Sequence, residues 1–460
     1  MKMKISKILF AVLALSVLSQ ACSDDFLDLP PVDTSNTGTF YKTASDLESA
    51  IVSVYSAWKG ATVWLPTKTE FRSDNLTADR FYGLEISTNA MGPATTSREW
   101  DLIFRDMVFR SNVVLENVDN IRGTNPELAD RIQGEALFFR GYAYYWGALY
   151  FGGLPLITET LSIEEALNMP RSTEAETWQQ AEQDLEEAVS LLPVSVSPFG
   201  RVDKHAAAAF LARTYMQQRK WAEAVPVLED IRSNSGHTLE TEWTAMWTEE
   251  AEKTSNEYML TSIWSEVDFN REYGQQFLFI AGNSNTQGNF IYKDGFFDSY
   301  EEGDIRKEAT AAIDSLGNSI NNKYDYGIGN GFVFTMDIVA MRFTDVELMY
   351  AEALTMNAGS VQQASIDIIN TIRNRAGLED TGLSTSSPVD EFVDVLLGER
   401  RSEFMWEGTR FADLKRHDML LEKLQDIGYN FDQTYLLFPL PGLEVEKMQG
   451  LWTQNPGYNF

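Results

Sequence analysis

Apolar residues recur at helical spacing over most of the first half of the chain. Leu47, Ile51, Val54 and Tyr55 share one face of a helix that Thr43 or Ser45 can cap and that runs through about Trp58. A second helix is predicted from about Arg98 to Val118. A third, from Pro126 to Tyr150, opens with Pro and Glu in its first turn and stops before Gly152-Gly153. Leu211, Ala212, Tyr215, Ala224 and Leu228 fall at the spacing of a tetratricopeptide helix pair, with Trp221 at the turn into its second helix. Ala181, Leu185, Ala188 and Pro193 match the second helix and terminating proline of another pair. A looser copy runs through Tyr350, Ala351, Ala353, Ala364, Ile368 and Ile372. Together these predict a stacked-helix scaffold, an architecture that presents binding surfaces more often than catalytic sites.

The stretch from about 257 to 345 breaks this pattern. Glu257 to Phe269 is rich in β-branched and aromatic residues and reads as a strand, whereas Ala281 to Gly288 and Asn318 to Gly331 read as loop. Irregular insertions on a rigid scaffold are where ligand contacts usually lie.

The amino terminus has its own organisation. Lys2, Lys4 and Lys7 precede an apolar run from Ile8 to Leu18, and then come Ser19, Gln20, Ala21 and Cys22. The run is shorter than the roughly 20 residues that span a bilayer and reads as a secretory signal. Cys22 is the single cysteine of the chain, which excludes an intrachain disulfide and a cysteine-built zinc site. Its position after a small residue resembles the lipobox of bacterial lipoproteins, so residues 1–21 are expected to be cleaved and Cys22 to carry lipid. Residues 22–36, with Ser23-Asp24-Asp25 and Pro30-Pro31, then form a spacer. Lys plus Arg number 37 against 68 Asp plus Glu, a formal charge of −31, which argues against nucleic-acid binding and against electrostatic docking on anionic lipid.

Catalytic signatures are missing from the residues. There is no His-Glu-x-x-His, no Gly-x-Ser-x-Gly and no Gly-x-x-x-x-Gly-Lys; His205, His237 and His417 are scattered. Glu399, Glu403 and Glu407 share a helix face at i, i+4 spacing, with Arg400, Arg401, Arg410 and Asp413 close by; this pattern reads as a neutralised ion-pair cluster before it reads as a catalytic pair. Glu135 and Arg140 likewise read as a buried or half-buried ion pair between helices. No cofactor or metal is expected, although with 68 acidic residues a two-carboxylate glycosidase stays open on the residues alone.

Several ordered motifs resemble the SusD/RagB family. They are the Cys22 leader with Phe26-Leu27-Asp28; Trp100 with Asn112 and Leu115; and Glu135-Ala136-Leu137-Phe138-Phe139-Arg140 running into Tyr150-Phe151-Gly152-Gly153-Leu154-Pro155-Leu156. Further on come Ser299-Tyr300 with Gly303-Asp304-Ile305-Arg306, Tyr350-Ala351-Glu352-Ala353, Ile372-Arg373-Asn374-Arg375-Ala376-Gly377-Leu378, Glu399-Arg400-Arg401, and a tail with Phe438-Pro439-Leu440-Pro441 and Gln454-Asn455-Pro456-Gly457-Tyr458. The resemblance implies a mainly α fold: one SusD-like domain over 37–460, with a helical scaffold at about 98–235 and 340–420 and ligand-binding loops at about 58–100 and 257–335. It also implies a non-catalytic, lipid-anchored outer-membrane protein, facing outward, that binds oligo- or polysaccharide and delivers it to a SusC-like TonB-dependent transporter. A peptide binder of the same architecture is the alternative, and a secreted glycoside hydrolase a more distant one.

Sugar binding needs flat apolar faces for pyranose C–H groups and amides, carboxylates or guanidinium groups for the hydroxyls. The first loop region offers Trp64, Asp74, Asn75, Arg80 and Tyr82, and the second offers Trp264, Asn285, Phe290 and Tyr292. Trp64, Tyr82 and Tyr292 are the preferred platforms, whereas Phe296 and Phe297 read as core.

Overall fold

A computed structural model of the chain describes residues 40–79, 81–196, 199–248, 250–264, 290–313, 319–323 and 337–460, with the backbone alone at 81, 82, 319 and 320. Cys22 and the Phe26-Leu27-Asp28 segment lie outside them.

The first helix, α1, spans Ala44–Arg72. Thr43 caps it as expected: its hydroxyl accepts from the Asp46 N–H at 3.2 Å while the Asp46 carboxylate accepts from the Thr43 N–H at 2.9 Å. The expected end near Trp58 is wrong by several turns. Beyond Trp58 the helix has no exposed residue and is fully buried at Gly60, Ala61, Thr62, Val63 and Leu65 and then at Lys68, Thr69, Glu70, Phe71 and Arg72, so the one-sided apolar pattern that marks a surface helix disappears. Pro66 lies inside it and packs against Gly408. Arg72 closes the helix by reaching the far end of the chain. Its guanidinium donates to Tyr435 O (2.7 and 3.0 Å), Leu437 O (3.2 Å) and the Tyr458 hydroxyl (3.1 Å).

The helix expected from Arg98 to Val118 is present as Ser97–Asp101 and Phe109–Asn117 joined by a π-wound stretch, Leu102–Val108. The scaffold continues with α2 (Pro126–Phe151), α3 (Glu174–Leu191), α4 (Lys204–Gln217), α5 (Trp221–Asn234), α6 (Phe343–Ala358), α7 (Gln363–Arg375), α8 (Val389–Glu403) and α9 (Arg410–Arg416). From α2 to α7 each helix packs on the next in chain order, which is the stacking that the small-residue spacing predicts. The approach of α2 to α3 requires Gly141, where an added Cβ would lie 2.8 Å from Leu185 Cγ. One hydrophobic core extends from Leu47 to Tyr458.

The Thr173 cap of α3 is a local contribution that can be measured. Its hydroxyl accepts from the Glu176 N–H at 3.2 Å, and the Glu176 carboxylate accepts from the Thr173 N–H at 2.8 Å. Thr173→Ala is expected to lower unfolding free energy by about 1 kcal/mol with unchanged denaturant dependence. A shift in midpoint indistinguishable from zero would show that the cap carries no stability.

Glu135 and Arg140 are both buried, but they do not pair with each other. Glu135 is held by Arg131 (2.9 Å) and Arg201 (2.8 Å), and Arg140 grips Asp184 of α3 and the Asn112 side chain.

Strands are short and paired two by two. β1 (Leu76–Ala78) is antiparallel to β3 (Phe290–Tyr292), β2 (Tyr258–Ser262) to β6 (Ile338–Arg342), and β4 (Ala311–Ile313) to β5 (Ser319–Asn321). β2 falls inside the strand predicted from Glu257. β5 lies in the stretch read as loop, which three residues of strand within a Gly-rich run do not reveal.

Candidate ligand-binding site

The site is organised around the corner Glu403–Gly408, where α8 ends, and around the buried charges that hold it. Arg342 at the end of β6 is fully buried and donates to Glu257 (2.8 Å), Glu403 (3.0 Å) and both oxygens of Glu407 (2.9 Å each). Arg306 reaches Asp304 (2.8 Å), Glu403 (3.1 Å) and Glu399, and Arg375 reaches Glu257 (2.7 Å) and Glu403 (2.9 Å). Glu399 and Glu403, which share a face of α8, are thus neutralised mainly by arginines from other elements; Glu407, expected on the same helix face, lies past the end of α8 in the corner. The arginines of α8 itself turn elsewhere: Arg400 to Asp345 (2.7 Å) and Asp413 (2.9 Å), Arg401 to Asn75 (2.8 Å). Burial raises the Glu403 carboxyl, but Arg375, Arg342 and Arg306 overcome it and hold the group far below the usual carboxylate range. A carboxylate so enclosed is framework.

The roots of β3 and β5 gather on this corner. Phe290 sets its ring edge-on to Trp406 at 4.8 Å between centroids, and Tyr292 stacks on Phe296 at 4.5 Å. Lys323, which follows β5, donates to Glu403 O (2.9 Å) and Met405 O (3.1 Å). At the open end of β2 and β6 the Trp264 N–H donates to Asp337 at 2.8 Å, and burial pushes the Asp337 carboxyl up to about 6. The pairing of β1 with β3, Leu76 opposite Tyr292 and Ala78 opposite Phe290, therefore joins the two regions expected to share a ligand. On the outer face of that ribbon Thr77 lies opposite Ile291, which is 42% exposed.

Of the sequence candidates, five are buried in this framework and do not face solvent. Asp74 is clasped by Arg410 (2.8 and 2.9 Å), and burial, which raises its carboxyl, yields to Arg410 and Arg401, which hold it well below the usual range. Asn75 bridges Glu70 and Arg401. Phe290 and Tyr292 point into the core because their alternation with Ile291 puts both aromatics on the buried face of β3. Trp264 is 5% exposed, with the Lys59 ammonium 5.6 Å from its ring. Trp64 is half-buried on another side of α1: Lys68 sits 5.4 Å from its ring and pairs with Glu99 at 2.7 Å, so no described contact brings it to the corner. Tyr82 is the second residue of the short helix Phe81–Ser87 that follows β1. Arg80, Asn285 and the Tyr82 side chain lie outside the described parts.

Ile291 and Thr77 were not candidates from sequence. Phe290-Ile291-Tyr292 is apolar throughout, so the sequence shows no alternation and does not say which face is buried; the position of Trp406 decides that.

Two family models match the chain. One, described as starch-binding and associating with outer membrane, covers residues 25–216; the other, described as SusD family, covers residues 268–458. The SusD-like protein P25 of Formosa agariphila is 25% identical, with 93% of each chain aligned. Among solved structures, a laminarin-binding SusD-like protein superposes with a TM-score of 0.77 at 22% identity, over 91% of this chain and 100% of the other. Surface glycan-binding protein A from Bacteroides thetaiotaomicron, in complex with laminarihexaose, superposes with a TM-score of 0.75 at 18% identity, over 89% of this chain and 99% of that one.

Proposed function

The chain belongs to the SusD/RagB family, and on that premise we propose that it captures oligo- or polysaccharide at the cell surface and hands it to a SusC-like TonB-dependent transporter. The family is one of binding proteins associated with the outer membrane, and the protein is not an enzyme. No helix among the described residues is long and apolar enough to cross a membrane. In this reading the anchor is lipid on Cys22, which holds the binding domain on the extracellular side.

The observation that carries the reading is the pairing of β1 with β3, which joins the two regions beside the corner where Phe290 packs on Trp406 and Lys323 reaches Glu403 O. Arg80, Tyr82 and Asn285 are the proposed ligand contacts, with Trp64 as a further platform. Asp74, Asn75, Phe290 and Tyr292 support the β1–β3 ribbon from beneath. Glycan is the class of ligand because relatives of this fold are named for laminarin and glycan binding.

The mature protein should be retarded in native gels containing one polysaccharide of a panel that includes laminarin, without cleaving it. Tyr82→Ala is expected to weaken that binding about tenfold at unchanged melting temperature, as loss of a stacking platform would. Retardation by no polysaccharide, together with a calorimetric signal from peptides alone, would refute the glycan reading.

A further inference from the structure

Glu70 stands apart from the arginine-clamped carboxylates around it. It is 1% exposed, and among the described residues no lysine or arginine lies within ion-pair distance. Each oxygen instead accepts one N–H: Oε1 from the Gly408 backbone at 2.9 Å and Oε2 from Asn75 Nδ2 at 2.7 Å. The Asn75 amide cannot turn over to offer its oxygen, because Oδ1 already accepts from Arg401 Nε at 2.8 Å. Both partners of Glu70 are therefore donors, and the ionised carboxylate accepts from both more strongly than a neutral carboxyl does.

Burial works against that ionised form. It pushes the Glu70 carboxyl up to about 7, against the Asn75 and Gly408 bonds and the more distant charge of Lys323, with Asp74 adding to the rise. Of the other charges near it, Arg410 and Arg401 hold Asp74 ionised; Lys323 is tied to Glu403 O, Met405 O and Glu407, with burial lowering its ammonium to about 8; and burial lowers Lys293, whose ammonium donates to Ser73 O and Phe71 O, to about 7, so a response of either lysine would persist in variants that alter Glu70 or Asn75.

We propose that Glu70 is a proton-operated latch between the strand β1 that follows Asn75 and the Glu403–Gly408 corner. A proton taken from water onto either carboxyl oxygen removes the charge from the acceptor, and both N–H bonds weaken from charge-assisted to neutral. The bond that gives is the one to Asn75. Gly408 is pinned independently, by the Thr69 hydroxyl on its carbonyl at 3.0 Å and by its packing on Pro66. Asn75 is one residue from β1, and its own carbonyl accepts the Lys293 N–H at 2.9 Å, so the release passes to the ribbon that joins the two ligand regions.

The effect is local and opposite in sign to the global one. A folded value above the ordinary 4.5 means that Glu70 contributes fully to stability below 4.5 and that this contribution is lost as the pH rises through 7. Acid therefore loosens the ribbon without unfolding the protein through this group.

Hydrogen exchange reads the latch directly on the full mature chain without ligand. After correction for intrinsic rates, protection in peptides covering 74–78 and 290–293 should fall about fivefold between pH 8 and pH 5.5, the difference between a charged and a neutral acceptor. Protection at Phe438, whose N–H donates to Tyr150 O, should not change. Glu70→Gln, which puts an NH₂ where the proton would be, and Asn75→Ala, which keeps Glu70 but removes the donor, should each show the low, acid-like protection at both pH values. Equal protection of the wild-type ribbon at the two pH values would overturn the proposal, as would a fivefold drop that persists in either variant. The bearing on ligand capture rests on the function proposed above, whereas this experiment contains no glycan, so the two readings can fail separately.

Discussion

Arg342→Ala is expected to destabilise the protein by about 3–5 kcal/mol, the range for breaking a buried ion pair by removing one partner. Arg342 is fully buried and is the one side chain that bonds Glu257, Glu403 and Glu407 together; its loss leaves three carboxylates with a shared guanidinium missing in a site closed to water. Arg375 and Arg306 still neutralise Glu403, and Lys323 still reaches Glu407, which keeps the cost finite. Arg342→Lys should recover only part of it, because a point charge cannot reproduce the fork that meets both Glu407 oxygens and Glu257 at once. Denaturant midpoints of the three proteins decide the matter. A loss below about 1 kcal/mol in Arg342→Ala would mean that the corner is held by its neighbours and not by this arginine.

Gly408→Ala should cost about 2–4 kcal/mol, for two reasons that add. The backbone there has φ +74°, and an added Cβ would lie 2.4 Å from both Cα and Cβ of Pro66. The neighbour is rigid helix backbone and a proline ring, so neither can give way. Gly398→Ala is the control in the same helix-to-corner stretch: nothing lies within 4 Å of its added Cβ, and at a helical position the substitution should be neutral or stabilising by up to about 1 kcal/mol. Comparable losses in the two variants would show that the tight contact at Pro66 does not govern stability.

What could be read from sequence divides along physical lines. Elements with a start or stop signal, a one-sided apolar stripe or a marked composition were legible: α2 by Pro126 at its start and Gly152 at its end, α5 by the stripe Ala224, Leu228 and Ile231, and β2 by its β-branched and aromatic run from Glu257. The second half of α1 was not. Lys68, Glu70 and Arg72 look like surface residues, yet each is buried against a partner from a distant part of the chain: Glu99, Gly408 and Tyr435. The same cause misplaced Asp74 and Asn75 as ligand contacts. A polar, aromatic stretch reads as a sugar site until Arg401 and Arg410, more than three hundred residues later, are seen to occupy its polar groups. Tyr292 failed differently, since Phe290, Ile291 and Tyr292 are all apolar and nothing local marks which face of β3 is buried. The ion-pair cluster on α8 was recognisable as such because seven charged side chains within fifteen residues have few other uses, but its true partners, Arg306, Arg342 and Arg375, carry no local mark.

The grip of Arg72 on Tyr435, Leu437 and Tyr458 bears on how the chain reaches its folded state. The helix that ends at Arg72 is among the first to be synthesised, but its second half is covered by residues from the last sixty. Closing loops of this length is the slow part of assembling a chain dominated by distant contacts. The amino-terminal and carboxy-terminal stretches therefore share one hydrophobic core. A ribosome that has finished the helical scaffold still holds a chain with an open seam along α1, and only the arrival of the carboxy terminus closes it.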